Sequence, residues 1–244
     1  TAYQGVGNVR THWAGAGSGV RTVEHMSETP IPIVDLSLLD QGPEAAEHFC
    51  EELRRATHEV GFFLLTGHGI PGELEARLLE VSRAFFALPD EAKLEIENLK
   101  SPHFRGYARV GGELTKGKVD WREQIDIGSA RPAIEIGPDT PAYLRLEGPN
   151  QWPSALPELR DVVEEWEARL TVIGRRLLAA WAESLGADPV ELLDVFGDDP
   201  SIHIKVARYP GKAADAESRQ GVGSHKDAGM LTLLWVEPGV GGLQ

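Results

Sequence analysis

The chain has 244 residues, enough for one substantial domain or one core with a smaller appended part, and its 41% apolar and 25% charged residues are ordinary for a soluble globular protein. A formal charge of −14, from 24 basic against 38 acidic residues, argues against nucleic acid or an anionic membrane surface as a partner. Cys50 is the only cysteine, which excludes an intrachain disulfide and fits a reducing cytoplasm, and no apolar run approaches membrane-spanning length.

Residues 1–25 are glycine-rich and lack the apolar core of a signal peptide, so they are expected to be a disordered leader, with the domain starting at Met26. Ile31-Pro-Ile-Val-Asp-Leu36 predicts a short edge strand, because its proline cannot donate to a ladder. Phe49, Leu53, Ala56 and Val60 recur at helical spacing and predict an amphipathic helix over 44–60, with Cys50 as a small inert side chain on it. Gly61-Phe62-Phe63-Leu64-Leu65-Thr66 predicts a buried strand, and His68 in the turn behind it is expected to cap the strand end rather than hold a ligand. Pro71 should open the next helix at its first position, with Leu74, Leu78, Val81 and Phe85 on one face, and Leu88-Pro89-Asp90-Glu91 should start a shorter one.

Residues 100–150 read as loop-rich, with strand candidates near Gly106–Arg109 and Glu123–Ile127. Between 155 and 186, Leu159, Val163, Trp166, Leu170, Ile173, Leu177 and Trp181 recur every three or four residues, which predicts a long amphipathic helix whose tryptophans are core. Asp188-Pro189-Val190-Glu191 combines an N-cap, a helix-opening proline and a capping-box acid. The period then changes to two. Ile202, Ile204 and Val206 share one face of a strand over 201–209, and His203, Lys205, Ala207 and Tyr209 share the other. That second face is either the wet side of a sandwich or a pocket wall, with Lys205 and Tyr209 available to bind a carboxylate. Helices first and period-two strands afterwards argue for an α+β fold.

The main chemical signal is His225-Lys226-Asp227, set between glycines and followed by the apolar run Met230-Leu-Thr-Leu-Leu-Trp-Val236. Residues two apart on an extended chain point the same way, so this imidazole and carboxylate can converge on one cation. They are two thirds of the 2-His-1-carboxylate set that holds non-heme Fe(II) with open positions. The bare triplet also fits a polar turn before a core strand, and the apolar run is expected to be such a strand, buried on both faces and keeping the site dry.

Taken in order, several stretches resemble one family. They are Ile33-Val34-Asp35-Leu36, Gly61-Phe62-Phe63-Leu64 with Gly67-His68-Gly69-Ile70, Phe85-Phe86-Ala87-Leu88-Pro89, Arg105-Gly106-Tyr107, Glu123 with Asp126-Ile127-Gly128, Arg208-Tyr209-Pro210, His225-Lys226-Asp227-Ala228-Gly229 and Gly241-Gly242-Leu243-Gln244. From Ile31 to Gln244 the chain resembles the isopenicillin N synthase-like Fe(II)/2-oxoglutarate-dependent dioxygenases. The resemblance implies a double-stranded β-helix (jelly-roll) core, incomplete at the C-terminus, behind a mainly helical N-terminal region. The expected division is an N-terminal region over 26–150, then the long helix and first part of the jelly roll over 151–244.

It further implies that His225 and Asp227 are iron ligands and that Tyr209, with Lys205, lies in the pocket near the carboxylate of 2-oxoglutarate or substrate. The expected partners are a small-molecule substrate and O2, with succinate and CO2 as co-products. In the family a second histidine ligand and an Arg-x-Ser pair that grips 2-oxoglutarate follow several dozen residues later. The chain is therefore expected to be a fragment that is inactive alone. Three alternatives remain: an oxidase of the isopenicillin N synthase type that needs no 2-oxoglutarate, a bacterial ethylene- and succinate-forming enzyme, and a non-catalytic truncated jelly-roll protein.

Overall fold

A computed structural model describes residues 31–211, 220–227 and 229–240. The expected leader over 1–25, the start at Met26, Ala228 and the Gly241-Gly242-Leu243-Gln244 stretch lie outside the described residues. Two compact units are present. Among the described residues, one takes in 31–69, Leu177–Pro189 and 235–240; the other takes in Ile70–Arg176, 190–211, 220–227 and 229–234.

In the first unit, β1 (Ile33–Asp35) and β2 (Leu64–Thr66) pair in parallel, Ile33 opposite Leu64 and Asp35 opposite Thr66. Parallel neighbours need a crossover, and α1 (Pro43–Glu59) supplies it. It buries Phe49, Leu53 and Ala56 of the predicted stripe. The strand expected over 61–66 is shorter than its apolar composition suggests, and it is only half-buried. Its first residues serve the helix end instead. The N–H groups of Val60 and Gly61 both bond Ala56 O, at 3.1 and 3.0 Å, and Gly61 takes φ +89°, a left-handed turn open to glycine. Phe62 is left 58% exposed. Cys50 Sγ faces Glu183 Oε2 at 3.9 Å; burial first, and then that carboxylate, push the thiol pKa up, so it stays protonated and inert.

In the second unit, α2 (Gly72–Ala87) buries Leu74, Leu78, Val81 and Phe85 as predicted, and Phe86 beside them. Pro71 stands one residue earlier than expected, as an extended N-cap with ψ 133°. The short α3 (Asp90–Leu94) follows. Next come β3 (Gly106–Ala108), the hairpin β4 (Leu114–Thr115) with β5 (Lys118–Val119), and β6 (Glu123–Gly128). The remaining elements are α4 (Glu158–Ser184), whose residues from Leu177 belong to the first unit, α5 (Pro189–Phe196), whose first residue does too, and β7 (His203–Arg208).

The β4–β5 hairpin falls in a stretch that reads as loop. Its two-residue turn, Lys116 at φ 51° and Gly117 at φ 78°, puts both central residues at positive φ, as a tight hairpin turn requires. β3, β6 and β7 form an antiparallel sheet in that order. Tyr107 pairs with Ile125, Ile125 with Val206, and Asp126 with Lys205. Alternation puts Tyr107, Ile125, Ile127, Ile204 and Val206 on one face, and Gln124, Asp126, His203 and Lys205 on the other. Helices with antiparallel sheets make the fold α+β.

The apolar run over 230–236 is not a strand. It is irregular, with Met230 52% and Leu234 66% exposed. Its composition suits a strand, but a strand also needs a neighbour for its N–H and C=O groups. Among the described residues none is hydrogen-bonded to it as a ladder.

Candidate metal centre

The polar face of the three-stranded sheet is organised around Asp126, whose side chain is fully buried. One oxygen accepts from Gln124 Nε2 at 2.8 Å, and the other lies 2.9 Å from His203 Nε2. Lys205 Nζ sits 3.7 Å from Asp126 and 3.8 Å from Glu113 Oε2. Glu113 also accepts from Arg122 at 2.7 Å. Burial opposes the Arg122 charge, but hydrogen bonds to Tyr209 and Glu113 outweigh it and raise the guanidinium pKa. Gln124 Oε1 is buried with no hydrogen-bond partner among the described residues. Lys205 therefore faces two carboxylates rather than standing free. Tyr209, 52% exposed, lies one residue beyond β7 and sets its ring against Gly221, where a Cβ would come within 3.1 Å of the ring.

That contact leads into the turn carrying the metal-ligand candidates. Gly223 N donates to Asp120 Oδ1 at 3.2 Å, and Gln220 Nε2 to the same oxygen at 2.7 Å. Beyond this anchor, His225 Nδ1 lies 2.8 Å from Gly223 O. A carbonyl only accepts, so Nδ1 is the donor of this bond and Nε2 is the nitrogen turned toward Asp227. Nε2 is 3.3 Å from Asp227 Oδ1. The second Asp227 oxygen accepts from Thr232 Oγ1 at 2.7 Å. Both side chains are about half exposed, at 48% and 50%. The predicted pair is thus brought together, one ring nitrogen beside one carboxylate oxygen, while the other nitrogen and the other oxygen each hold a hydrogen bond. This donor set suits a divalent first-row metal such as Fe(II). Among the described residues no group of three or more His, Cys, Asp or Glu could hold a metal, so the pair has no third protein ligand there. His203 is engaged with Asp126 instead.

Asp120, Glu113 and Arg122 carry much of this region, and none stands out in sequence. Asp120 lies in Asp-Trp-Arg-Glu directly after the hairpin, and its partners at 220 and 223 are about a hundred positions away. The one local hint is Lys116-Gly117, a dipeptide that permits the tight turn.

Residues 31–155 match the family model described as the N-terminal region of non-haem dioxygenases in morphine synthesis. A 2-oxoglutarate-dependent dioxygenase of the fungus Trichoderma harzianum is 33% identical over 227 residues, covering 90% of this chain and 68% of that protein. The chain belongs to the 2-oxoglutarate-dependent dioxygenase family. Another such dioxygenase, from Dothideomycetidae sp., is 41% identical over 213 residues, covering 86% of this chain but 56% of its own length. The chain thus spans little more than half of that relative. In fold it is similar to a Neurospora crassa protein solved in complex with alpha-KG, with a TM-score of 0.59 at 23% identity over 74% of this chain and 54% of that one.

Proposed function

We propose that this chain carries the first two metal ligands of a non-heme Fe(II)- and 2-oxoglutarate-dependent oxygenase that oxidises a small molecule with O2 and releases succinate and CO2. The observation that carries the reading is the 3.3 Å approach of His225 Nε2 to Asp227 Oδ1 on a single turn. His225 and Asp227 would hold the iron, which when bound supplies open positions for the 2-keto acid and for O2. Thr232 fixes the rotation of the Asp227 carboxylate so that one oxygen faces the metal.

Tyr209 and Lys205 are the residues offered to the carboxylates of 2-oxoglutarate or substrate, Lys205 by exchanging its long contacts to Glu113 and Asp126 for a closer one. The unpartnered Gln124 Oε1 on the same face suits a donor on the bound molecule. In this reading β3, β6 and β7 belong to a double-stranded β-helix, with residues 26–150 as the N-terminal region and 151–244 as the long helix and the roll's first part. The antiparallel order of the sheet and the fold likeness support it. The single, protonated cysteine suits a reducing, cytoplasmic setting. Among the described residues no helix is long and apolar enough to cross a membrane.

The test is Co(II) titration of the chain, followed by visible absorption, against His225→Ala and Asp227→Ala. Each variant should weaken binding by at least tenfold, since an outer-shell partner alone is worth about 10–100-fold. Equal binding by all three proteins would remove the pair as ligands.

A further inference from the structure

The imidazole of His225 is 48% exposed, so packing does not choose its orientation. Two contacts do, Nδ1 to Gly223 O at 2.8 Å and Nε2 to Asp227 Oδ1 at 3.3 Å, and the first is the shorter. Which ring nitrogen is free for a metal depends on the bond the other makes. The position of Gly223 O is itself set from elsewhere. Asp120 is 1% exposed, and its carboxylate accepts from Gly223 N (3.2 Å), Gln220 Nε2 (2.7 Å) and Thr115 Oγ1 (2.6 Å). Trp121 N donates to Gln220 O at 3.0 Å, so the backbone beside Asp120 holds the same turn. Gly223 has no room to drift toward the hairpin: a Cβ there would lie 2.7 Å from Thr115 Cγ2.

Resting on the metal-site reading above, we propose that Asp120 is a positioning residue for His225. It clamps Gly223, whose carbonyl then holds Nδ1–H and leaves Nε2 for the metal. Neither Asp120 nor Gly223 touches the metal in this scheme. The pattern is an outer partner fixing a ligand tautomer. The clamp acts through the backbone of Gly223 rather than directly on the ring.

Nitrogen-15 long-range correlation spectra of the metal-free chain read the tautomer. The wild type should show His225 protonated on Nδ1. Asp120→Ala should move it toward the distribution of free imidazole, in which the proton favours Nε2. Asp120→Asn keeps an acceptor oxygen for Gly223 and Gln220 and should restore the Nδ1–H form. If Asp120→Ala fails to fold, Gly223→Ala serves, since it pushes the turn off the hairpin and leaves the Asp120 carboxylate intact; the same shift is expected. A folded Asp120→Ala or Gly223→Ala with an unchanged tautomer overturns the proposal.

In parallel, Asp120→Ala should weaken Co(II) binding by about 10–100-fold, with Asp120→Asn closer to wild type. The two readings fail separately. A wild type that binds no Co(II) but shows the tautomer shift removes the metal site and keeps the clamp. Unaltered Co(II) binding with an unmoved tautomer does the reverse.

Discussion

Glu123 and Asp126 sit three residues apart on β6, both almost completely buried, and they belong to different kinds of region. Glu123 lies at the end of the apolar face. It accepts from Tyr107 OH at 2.6 Å, Lys93 Nζ at 3.2 Å and Arg208 at 2.8 Å. Lys93 and Tyr107 are themselves buried, Phe85 packs edge-on against the tyrosine ring at 5.8 Å, and Lys93 Nζ stands 5.3 Å over it. Asp126, on the polar face, is equally hidden, but its basic partners are not: the His203 side chain is 48% exposed and that of Lys205 33%. A buried carboxylate alone therefore does not mark a functional face. What differs is how many partners are sealed: Lys93 and Tyr107 around Glu123 are buried and only Arg208 is half exposed, whereas both basic partners of Asp126 are reachable by a ligand.

The strongest way to break this comparison is Glu123→Ala. Removing one member of a buried ion pair costs about 3–5 kcal/mol, because the other charge is left without compensation. Here the lower end is expected, since Lys93 keeps Asp90 at 3.1 Å and the half-exposed Arg208 can turn to water. Urea unfolding should show a loss of about 3 kcal/mol with an unchanged slope. A loss under about 1 kcal/mol would mean the Glu123 knot is not a stabilising unit.

A second measurement probes the same knot through pH. Burial first, and then the hydrogen bond and charge of Glu123, push the Tyr107 phenol from 10.0 up to about 12. A group whose folded pKa is raised stabilises the fold below its unfolded pKa and loses that contribution as pH rises through the folded one. The stability of wild type relative to Tyr107→Phe should therefore be level up to about pH 9 and fall by about 2–3 kcal/mol between about pH 10 and 12, at 1.36 kcal/mol per unit. A difference that stays constant across that window would place the effect of the substitution in packing and not in the phenol's proton.

What sequence reveals about the two faces is uneven for physical reasons. The α2 stripe of Leu74, Leu78, Val81 and Phe85 and the alternation along β7 are legible because each pattern repeats within one element, where spacing alone decides which way a side chain points. The same logic brings His225 and Asp227 to one side of their turn. Asp120 is illegible because its partners lie across the fold, and no local period marks a residue that works at a separation of 103. The run over 230–236 shows the converse error: apolar composition satisfies one requirement of a strand, and a hydrogen-bonded neighbour is the other.

The smallest expected effect sharpens the comparison most. Lys205 sits on β7 three residues before Arg208, on the opposite face of the sheet, and its contacts of 3.7 and 3.8 Å are long for ion pairs. Replacing it with Met orphans no carboxylate. Glu113 retains Arg122 at 2.7 Å, and Asp126 retains Gln124 at 2.8 Å and His203 at 2.9 Å. Partly exposed pairs are worth about 0–1 kcal/mol, and the Met side chain keeps the aliphatic stem covered. Lys205→Met should then shift the unfolding free energy by less than about 1 kcal/mol in the same urea experiment that registers Glu123→Ala. A charge that stabilises the fold so little is free to serve a ligand. If Lys205→Met instead cost as much as Glu123→Ala, the polar face would be as much a structural knot as the other, and its cation would be committed to the fold rather than to a carboxylate from solution.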